Sequence, residues 1–375
     1  MSTPTERERD PAAEPVDPLA PLRRLERGRG ATFNPSNRYR RDERSVDDDG
    51  WTREDDPPPP LVTTVTIQRS RTIIARNESP DIAFDRSINP YQGCEHGCVY
   101  CFARPTHAYH DLSPGLDFES RLFAKPDAAD LLRQELAKPG YACAPMALGT
   151  NTDPYQPIER EWKITRSVLA LLGECEHPFT IVTKSALVER DIDIIAPLAA
   201  KRMARVFLSI TTLDKTLART LEPRAAAPHR RLQAVAALAQ AGIPTGVMVA
   251  PIIPQMNDKD LEAILEAAAN AGAQHAGWVI LRLPLEVAPL FRDWLLTHHP
   301  LRAKHVMSLV RQIHGGRDYD STFGKRQTGA GVYSELIRKR FEVACKRFGL
   351  NEEREPLDTT KFRPPRIATR QQELF

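Results

Sequence analysis

The sequence predicts an α/β protein whose parallel sheet curls into a barrel or partial barrel. Three observations carry this. Short apolar runs alternate with helix-spaced segments at least five times over, which is the pattern of a parallel sheet. Two of the helical segments are closed by a glycine, the residue that most readily takes the left-handed conformation ending a helix. A single cysteine-bearing loop lies near the first strands, and this many strand–helix units around one loop suit a barrel better than an open sheet.

The elements follow in order. Residues 1–60 are rich in Pro, Arg, Asp and Glu and end in Pro57–Pro60. They lack periodic apolar positions, so most of the stretch reads as a disordered N-terminal arm. Arg27–Gly30 followed by Asn34–Arg38 leaves open an ordered arm laid on the core. A core domain is expected over 61–300. It starts with Leu61–Ile67 and Arg71–Ala75 as a β-hairpin or strand pair, and continues through the cysteine loop to a helix over Ala128–Ala137. Strands are expected at Met146–Gly149, Phe179–Thr183, Val206–Ile210, Ile243–Ala250 and Trp278–Leu283. The helices between them are Ile164–Leu172, Val188–Ala200, His229–Ala241 before Gly242, and Asp258–Ala271 before Gly272. Residues 286–345 read as further helices, giving a C-terminal helical extension over 301–350, and 351–375 return to a polar tail.

Composition excludes little beyond the extremes. The chain has 375 residues, 41% hydrophobic and 27% charged, with 52 basic and 49 acidic side chains. A net charge of +3 neither demands nor excludes a nucleic-acid partner. No apolar run is long enough to span a bilayer. The first ten residues have no apolar stretch and do not read as a secretory signal. The expected location is therefore cytoplasmic, with no membrane partner.

Six cysteines are present, three of them within eight residues: Cys94, Cys98 and Cys101. In a chain of this size and compartment a tight group reads as a metal or redox site, not a disulfide framework. Cys143, Cys175 and Cys345 read as buried small hydrophobes. The C-x3-C-x2-C loop suits an iron–sulfur cluster held by thiolates. Three thiolates on a [4Fe–4S] cube leave one iron open, and an open metal position is where a substrate or cofactor binds. Gly93 and Gly97 let the chain turn tightly around so large an inorganic body. A zinc site is the rival reading. It needs a fourth ligand, for which His96, His107 and His110 are candidates, because no second Cys pair follows. Three plain buried thiols are the remaining alternative.

The loop, with Tyr100 just before its third cysteine, resembles the signature of the radical S-adenosylmethionine (SAM) superfamily. That resemblance implies a (β/α)6 partial TIM-like barrel, a [4Fe–4S] cluster on Cys94, Cys98 and Cys101, and S-adenosylmethionine chelated by the free iron. It also implies a one-electron reductant such as flavodoxin or ferredoxin. Further motifs narrow the likeness. Asn89–Cys94, Gly149–Glu159, Ser209–Asp214, Leu221–Arg224 and Pro251–Pro254 are similar to the group related to spore photoproduct lyase. Tyr100 then takes the place whose ring packs near the adenine. Ser209 is a candidate for the cofactor's ribose or methionine part.

In a parallel barrel the chemistry sits at the C-terminal ends of the strands. Thr150, Asn151, Thr152 and Asp153 follow one expected strand, and Asn151 and Asp153 are the candidate substrate-side catalytic groups. Arg224 suits the cofactor carboxylate, since a guanidinium pairs with a carboxylate in two-pronged fashion. Met248, Ala250 and Pro251 end a later strand, with Pro251–Pro254 expected to force an irregular exit. One departure stands out. The lyase uses a cysteine at the end of its second strand to donate a hydrogen atom, and aligning the closing Asp puts Thr150 there. Cys143 lies earlier and does not match.

The chain's last residues, Gln371-Gln372-Glu373-Leu374-Phe375, resemble the short peptide that docks on the bacterial replication sliding clamp. The expected function is reductive cleavage of S-adenosylmethionine to start radical chemistry, with a nucleic-acid base or lesion as a candidate substrate. RNA or protein modification with the same cluster is a third reading. A non-enzymatic iron–sulfur or zinc protein that binds a partner is the alternative from a different class.

Overall fold

The computed structural model describes residues 28–39, 61–352 and 355–366. Ten strands are present among them. These are β1 (Thr64–Ile67), β2 (Ile74–Arg76), β3 (Arg86–Ile88), β4 (Tyr91–Gln92), β5 (Arg121–Ala124), β6 (Met146–Leu148), β7 (Phe179–Thr183), β8 (Ala204–Ser209), β9 (Thr245–Ile252) and β10 (His275–Ile280). The main sheet runs β10-β9-β8-β7-β6-β3-β2. From β3 to β10 every neighbouring pair is parallel, and only β2 lies antiparallel on the edge. Six parallel strands without closure between β10 and β3 make a partial (β/α)6 barrel, one of the two forms the alternation left open and the one the resemblance implied.

Each crossover is helical, and each helix buries one stripe on the sheet. In Ile164–Glu174 the buried positions are Ile164, Thr165, Val168, Leu169, Leu171 and Leu172, a stripe of helical period. Phe179, Ile181 and Thr183 alternate with half-buried Thr180 and Val182 along β7, the period-two pattern of a strand. Asp214 caps the helix Lys215–Leu221 by accepting from the Thr216 and Leu217 amides at 2.8 and 3.1 Å. The barrel core is one cluster from Ile73 through Leu350, and the C-terminal helix Val332–Phe348 joins it with Ile337, Ala344 and Cys345. A second cluster joins the cysteine loop to the helices Val287–His298 and Pro300–Ile313.

Three expectations about elements are corrected. Leu61–Ile67 and Arg71–Ala75 do not pair. β1 lies parallel to β5, and β2 pairs antiparallel with β3. β3 itself carries only three residues, Arg86-Ser87-Ile88, too short a run for periodicity to register. The last barrel strand starts at His275, three residues before the apolar run that marked it. Pro251 does not end β9, which continues to Ile252. There Trp278 faces Val249 while Ile280 faces Ile252, so Ala250 and Pro251 together oppose one residue of β10, a β-bulge.

Of the N-terminal arm, residues 28–39 lie on the barrel, the course that composition left open. The clamp-like residues Gln371–Phe375 fall outside the described residues. No helix among the described residues is long and apolar enough to cross a membrane.

Candidate active site

The strand ends converge as a barrel demands. Asn89 follows β3, Gly149–Asp153 follow β6, Lys184 follows β7, Ser209 ends β8 and Ala250–Ile252 end β9. The cysteine loop leaves β3 and β4 at this same end.

The loop is shaped by its glycines. Gly93 and Gly97 sit at φ +75° and +68°, where a side chain is strained. A Cβ on Gly93 would stand 2.8 Å from the Phe118 carbonyl, and one on Gly97 would stand 2.8 Å from Glu119 Oε2. Cys94 and Cys98 are buried, Cys101 is half-buried, and none is in a disulfide. Cys101 packs against both the Cys98–Tyr100 side and the Cys94–Phe118 side of the loop. Burial raises the pKa of all three thiols, and the Asp153 carboxylate, with Cys98 and Cys101 after it, raises that of Cys94 further. The three thiols therefore sit on one loop, free of disulfides and shielded from solvent to differing degrees.

Among the described residues, no three His, Cys, Asp or Glu side chains converge as the ligands of one ion. His107 Nε2 is engaged with the Arg121 carbonyl at 2.9 Å, and His96 Nδ1 stands 3.3 Å from Asp153 Oδ2. Three thiolates that each take a different iron of a cube frame a wider body than one zinc ion does. Three free thiols on one loop, with Gly93 and Gly97 at the turns, suit the larger group.

The motif after β6 proves to be the loop's brace. Gln156, fully buried, accepts from the Glu95 amide at 2.9 Å and donates to the Gly93 carbonyl at 3.2 Å. Thr152 Oγ1 donates to the same carbonyl at 2.6 Å. Asp153 accepts from Thr183 Oγ1 at 2.6 Å, from the Lys184 amide at 2.8 Å and from the Tyr155 amide at 2.9 Å. Burial pushes the Asp153 carboxyl up, but the His96 charge and these hydrogen bonds outweigh it and hold it at about 2. The Asn151 amide donates to Asn89 Oδ1 at 2.9 Å, and Thr150 Oγ1 donates to the same oxygen at 3.2 Å. Asp153 is thus spent on holding β7 and the loop, while Asn151 and Thr150 sit at the mouth, pinned to the end of β3.

Tyr100 and Ser209 meet around a residue that the sequence reading passed over. Lys184 Nζ donates to Ser209 Oγ at 2.9 Å and lies 5.8 Å from the centre of the Tyr100 ring. The Ser209 hydroxyl in turn donates a hydrogen bond to the Ala250 carbonyl at the bulge, 3.2 Å away. The Tyr100 hydroxyl donates to Glu222, which Thr211 Oγ1 and Arg231 also contact. Glu222 and Arg231 are both buried. Burial raises the Glu222 carboxyl, and the Arg231 and Lys184 charges with the Thr211 and Tyr100 hydrogen bonds bring it down to about 2.

Arg224 does not pair with Glu222. Its guanidinium meets Glu95 at 2.9 Å, and its amide donates to the His96 carbonyl at 3.2 Å. It braces the cysteine loop from outside. Lys184 directly follows the last residue of a recognised strand, so the strand-end rule that singled out Asn151 and Asp153 would have found it. Cys143 lies at the other end of the barrel. The carbonyl beside it, Ala142, accepts from Arg86 at the start of β3, at 2.6 Å. It is half-buried, whereas Cys175 and Cys345 are buried as expected.

The description "Radical SAM superfamily" matches residues 88–268. A protein of Mycobacterium tuberculosis strain H37Rv is 37% identical over 287 residues, covering 75% of this chain and 81% of the relative. The chain belongs to the radical SAM superfamily. A protein of Acidianus two-tailed virus is 28% identical over 263 residues, covering 68% of this chain and 79% of its own. In fold, the chain is similar to spore photoproduct lyase complexed with dinucleoside spore photoproduct. The TM-score is 0.53 at 16% identity, covering 76% of this chain and 80% of the lyase. The radical SAM barrel is therefore common to both, and members of the superfamily are enzymes.

Proposed function

We propose that this chain holds a [4Fe–4S] cluster on Cys94, Cys98 and Cys101 and cleaves S-adenosylmethionine reductively to start radical chemistry. The observation that supports this is three free thiols on one glycine-turned loop at the C-terminal mouth of a radical SAM barrel. When bound, the cluster supplies one electron to the cofactor's sulfonium, drawn from a reductant such as flavodoxin or ferredoxin.

The chain's own residues divide the remaining work. Lys184 offers the mouth a cation oriented by Ser209, suited to the cofactor carboxylate, the task first given to Arg224. Ser209 acts through that lysine, and the Tyr100 ring forms an apolar wall whose position Glu222 fixes. Thr152, Asp153 and Gln156 position the loop and do not touch substrate. Asn151 faces the substrate side.

The proposed substrate is a nucleic-acid base or lesion, supported by the fold shared with a lyase solved on a dinucleoside lesion. Hydrogen return to the substrate must follow another route than the lyase's thiol. Thr150 stands at that place, and its O–H is a poor hydrogen-atom donor beside a thiol. Cys143, at the far end of the barrel, does not reach the mouth.

Anaerobic reconstitution with iron and sulfide, then reduction in the presence of S-adenosylmethionine, tests the reading. Formation of 5′-deoxyadenosine and methionine is expected. A reconstituted cluster that yields neither refutes the enzymatic reading and leaves an iron–sulfur binding protein. Substrate deuterium recovered in the deoxyadenosine then identifies which candidate is attacked.

A further inference from the structure

Residues 28–39 form a strap across the cysteine loop. Its anchor is Glu119, a fully buried carboxylate. Glu119 accepts from the Gly30 amide at 2.9 Å and from the Ala31 amide at 2.8 Å. The same carboxylate pairs with Arg104, also fully buried. Arg104 in turn donates to the Cys98 carbonyl at 2.9 Å, and to the Pro114 and Gly115 carbonyls at 3.1 and 2.9 Å. One buried ion pair thus ties the strap on one side to the backbone of the second cysteine on the other.

The strap lies flush on the loop. A Cβ on Gly30 would stand 1.8 Å from the Gly97 carbonyl oxygen, and one on Gly115 would stand 2.1 Å from the Phe33 carbonyl oxygen. Its far end crosses to the last barrel helix. Thr32 donates to Asp293, and Arg38 grips Glu286 through both carboxylate oxygens at 2.7 and 2.9 Å. The strap therefore spans from the loop that follows β4 to the helix that follows β10.

We propose that this strap is a cover for the cysteine loop, with Glu119 and Arg104 as its positioning residues. It holds Cys94 and Cys98 in place and keeps solvent from them. Its service to a cluster rests on the reading of the three cysteines as ligands. The cover itself does not, and can be measured on the metal-free chain. Lifting the strap removes amide hydrogen bonds to a charged acceptor and unpacks backbone from backbone, with no barrel strand disturbed.

The test uses the full chain with Gly30→Val, and separately with Arg38→Ala at the strap's far end. Iodoacetamide labelling of the metal-free chain is followed at each cysteine by mass spectrometry. Gly30→Val is expected to speed labelling of Cys94 and Cys98 by about tenfold, and Arg38→Ala by less, with Cys175 and Cys345 unchanged. Equal rates at Cys94 and Cys98 overturn the proposal. So does a rise at all buried cysteines together, since the strap would then hold the barrel and not the loop. The same variants, reconstituted, should lose iron to a chelator faster than the unaltered chain. If the unaltered chain takes up no iron, the cysteine reading falls, and the labelling result still judges the strap.

Discussion

The phenol of Tyr100 donates its hydrogen bond to the carboxylate of Glu222, 122 residues further along the chain. Through Glu222 it is tied to Arg231, and the buried ion pair is the hub beneath the cysteine loop. Removing one partner of such a pair strands the other charge, at a cost of about 3–5 kcal/mol. Glu222→Ala should lower the stability of the metal-free chain by that amount in urea unfolding. Tyr100→Phe leaves the ion pair whole and should cost about 1 kcal/mol. Equal losses would show that the phenol, not the pair, is the hub.

The same carboxylate, with Asp153, sets an acid limit. Folding lowers Glu222 from 4.5 and Asp153 from 3.8, both to about 2. As pH falls the unfolded chain takes up these protons first, so the stability they give is whole above the unfolded values and is lost as pH drops through them toward 2. Urea midpoints should therefore fall with pH below about 4.5. In Glu222→Gln that slope should be shallower, and an unchanged slope would place the acid sensitivity elsewhere.

Cys98→Ala should bring iron after anaerobic reconstitution down to background. Cys143→Ser, at the opposite end of the barrel, should keep the iron content of the unaltered chain. Iron retained by Cys98→Ala would remove that residue from the ligand set.

Lys184 and Arg224 separate two assignments of the cofactor's carboxylate. Losing a charged hydrogen-bond partner is worth about 1.5–3 kcal/mol. Lys184→Met should raise the S-adenosylmethionine concentration for half-maximal 5′-deoxyadenosine formation by about 10- to 100-fold. Arg224→Met removes a half-exposed pair with Glu95 and should move it by about threefold or less. The reverse order would return the carboxylate to Arg224.

Gly149 takes φ +92°, and a Cβ there would stand 1.9 Å from the Val182 carbonyl oxygen of β7. That neighbour is strand backbone and cannot yield. Gly149→Ala should cost about 2 kcal/mol or more in urea unfolding. Far-UV circular dichroism should stay that of a folded barrel.

The barrel was legible because its long strands and helices each carry a periodic apolar pattern. Phe179–Thr183 and Ile164–Glu174 declare themselves in sequence. Arg86–Ile88 does not, because three residues hold no period, and its partners are chosen by the sheet around it. The cysteine loop was legible as a group from its spacing. The hub was not. Glu222 and Arg224 stand two apart and invite pairing, yet the turn after Pro223 sends one inward to Arg231 and the other outward to Glu95. Partner choice across 61 residues, as between Glu95 and Gln156, depends on strand order, which no local pattern records.

The strap has a consequence for how the protein matures. Gly30 leaves the ribosome 89 residues before Glu119, and Thr32 precedes Asp293 by 261. The strap can therefore be seated on the cysteine loop as soon as Glu119 is made, while its far anchors at Glu286 and Asp293 come only after the barrel strands. Between those two moments the strap would be tied at one end alone, and a group bound by the cysteines would have its readiest entry then.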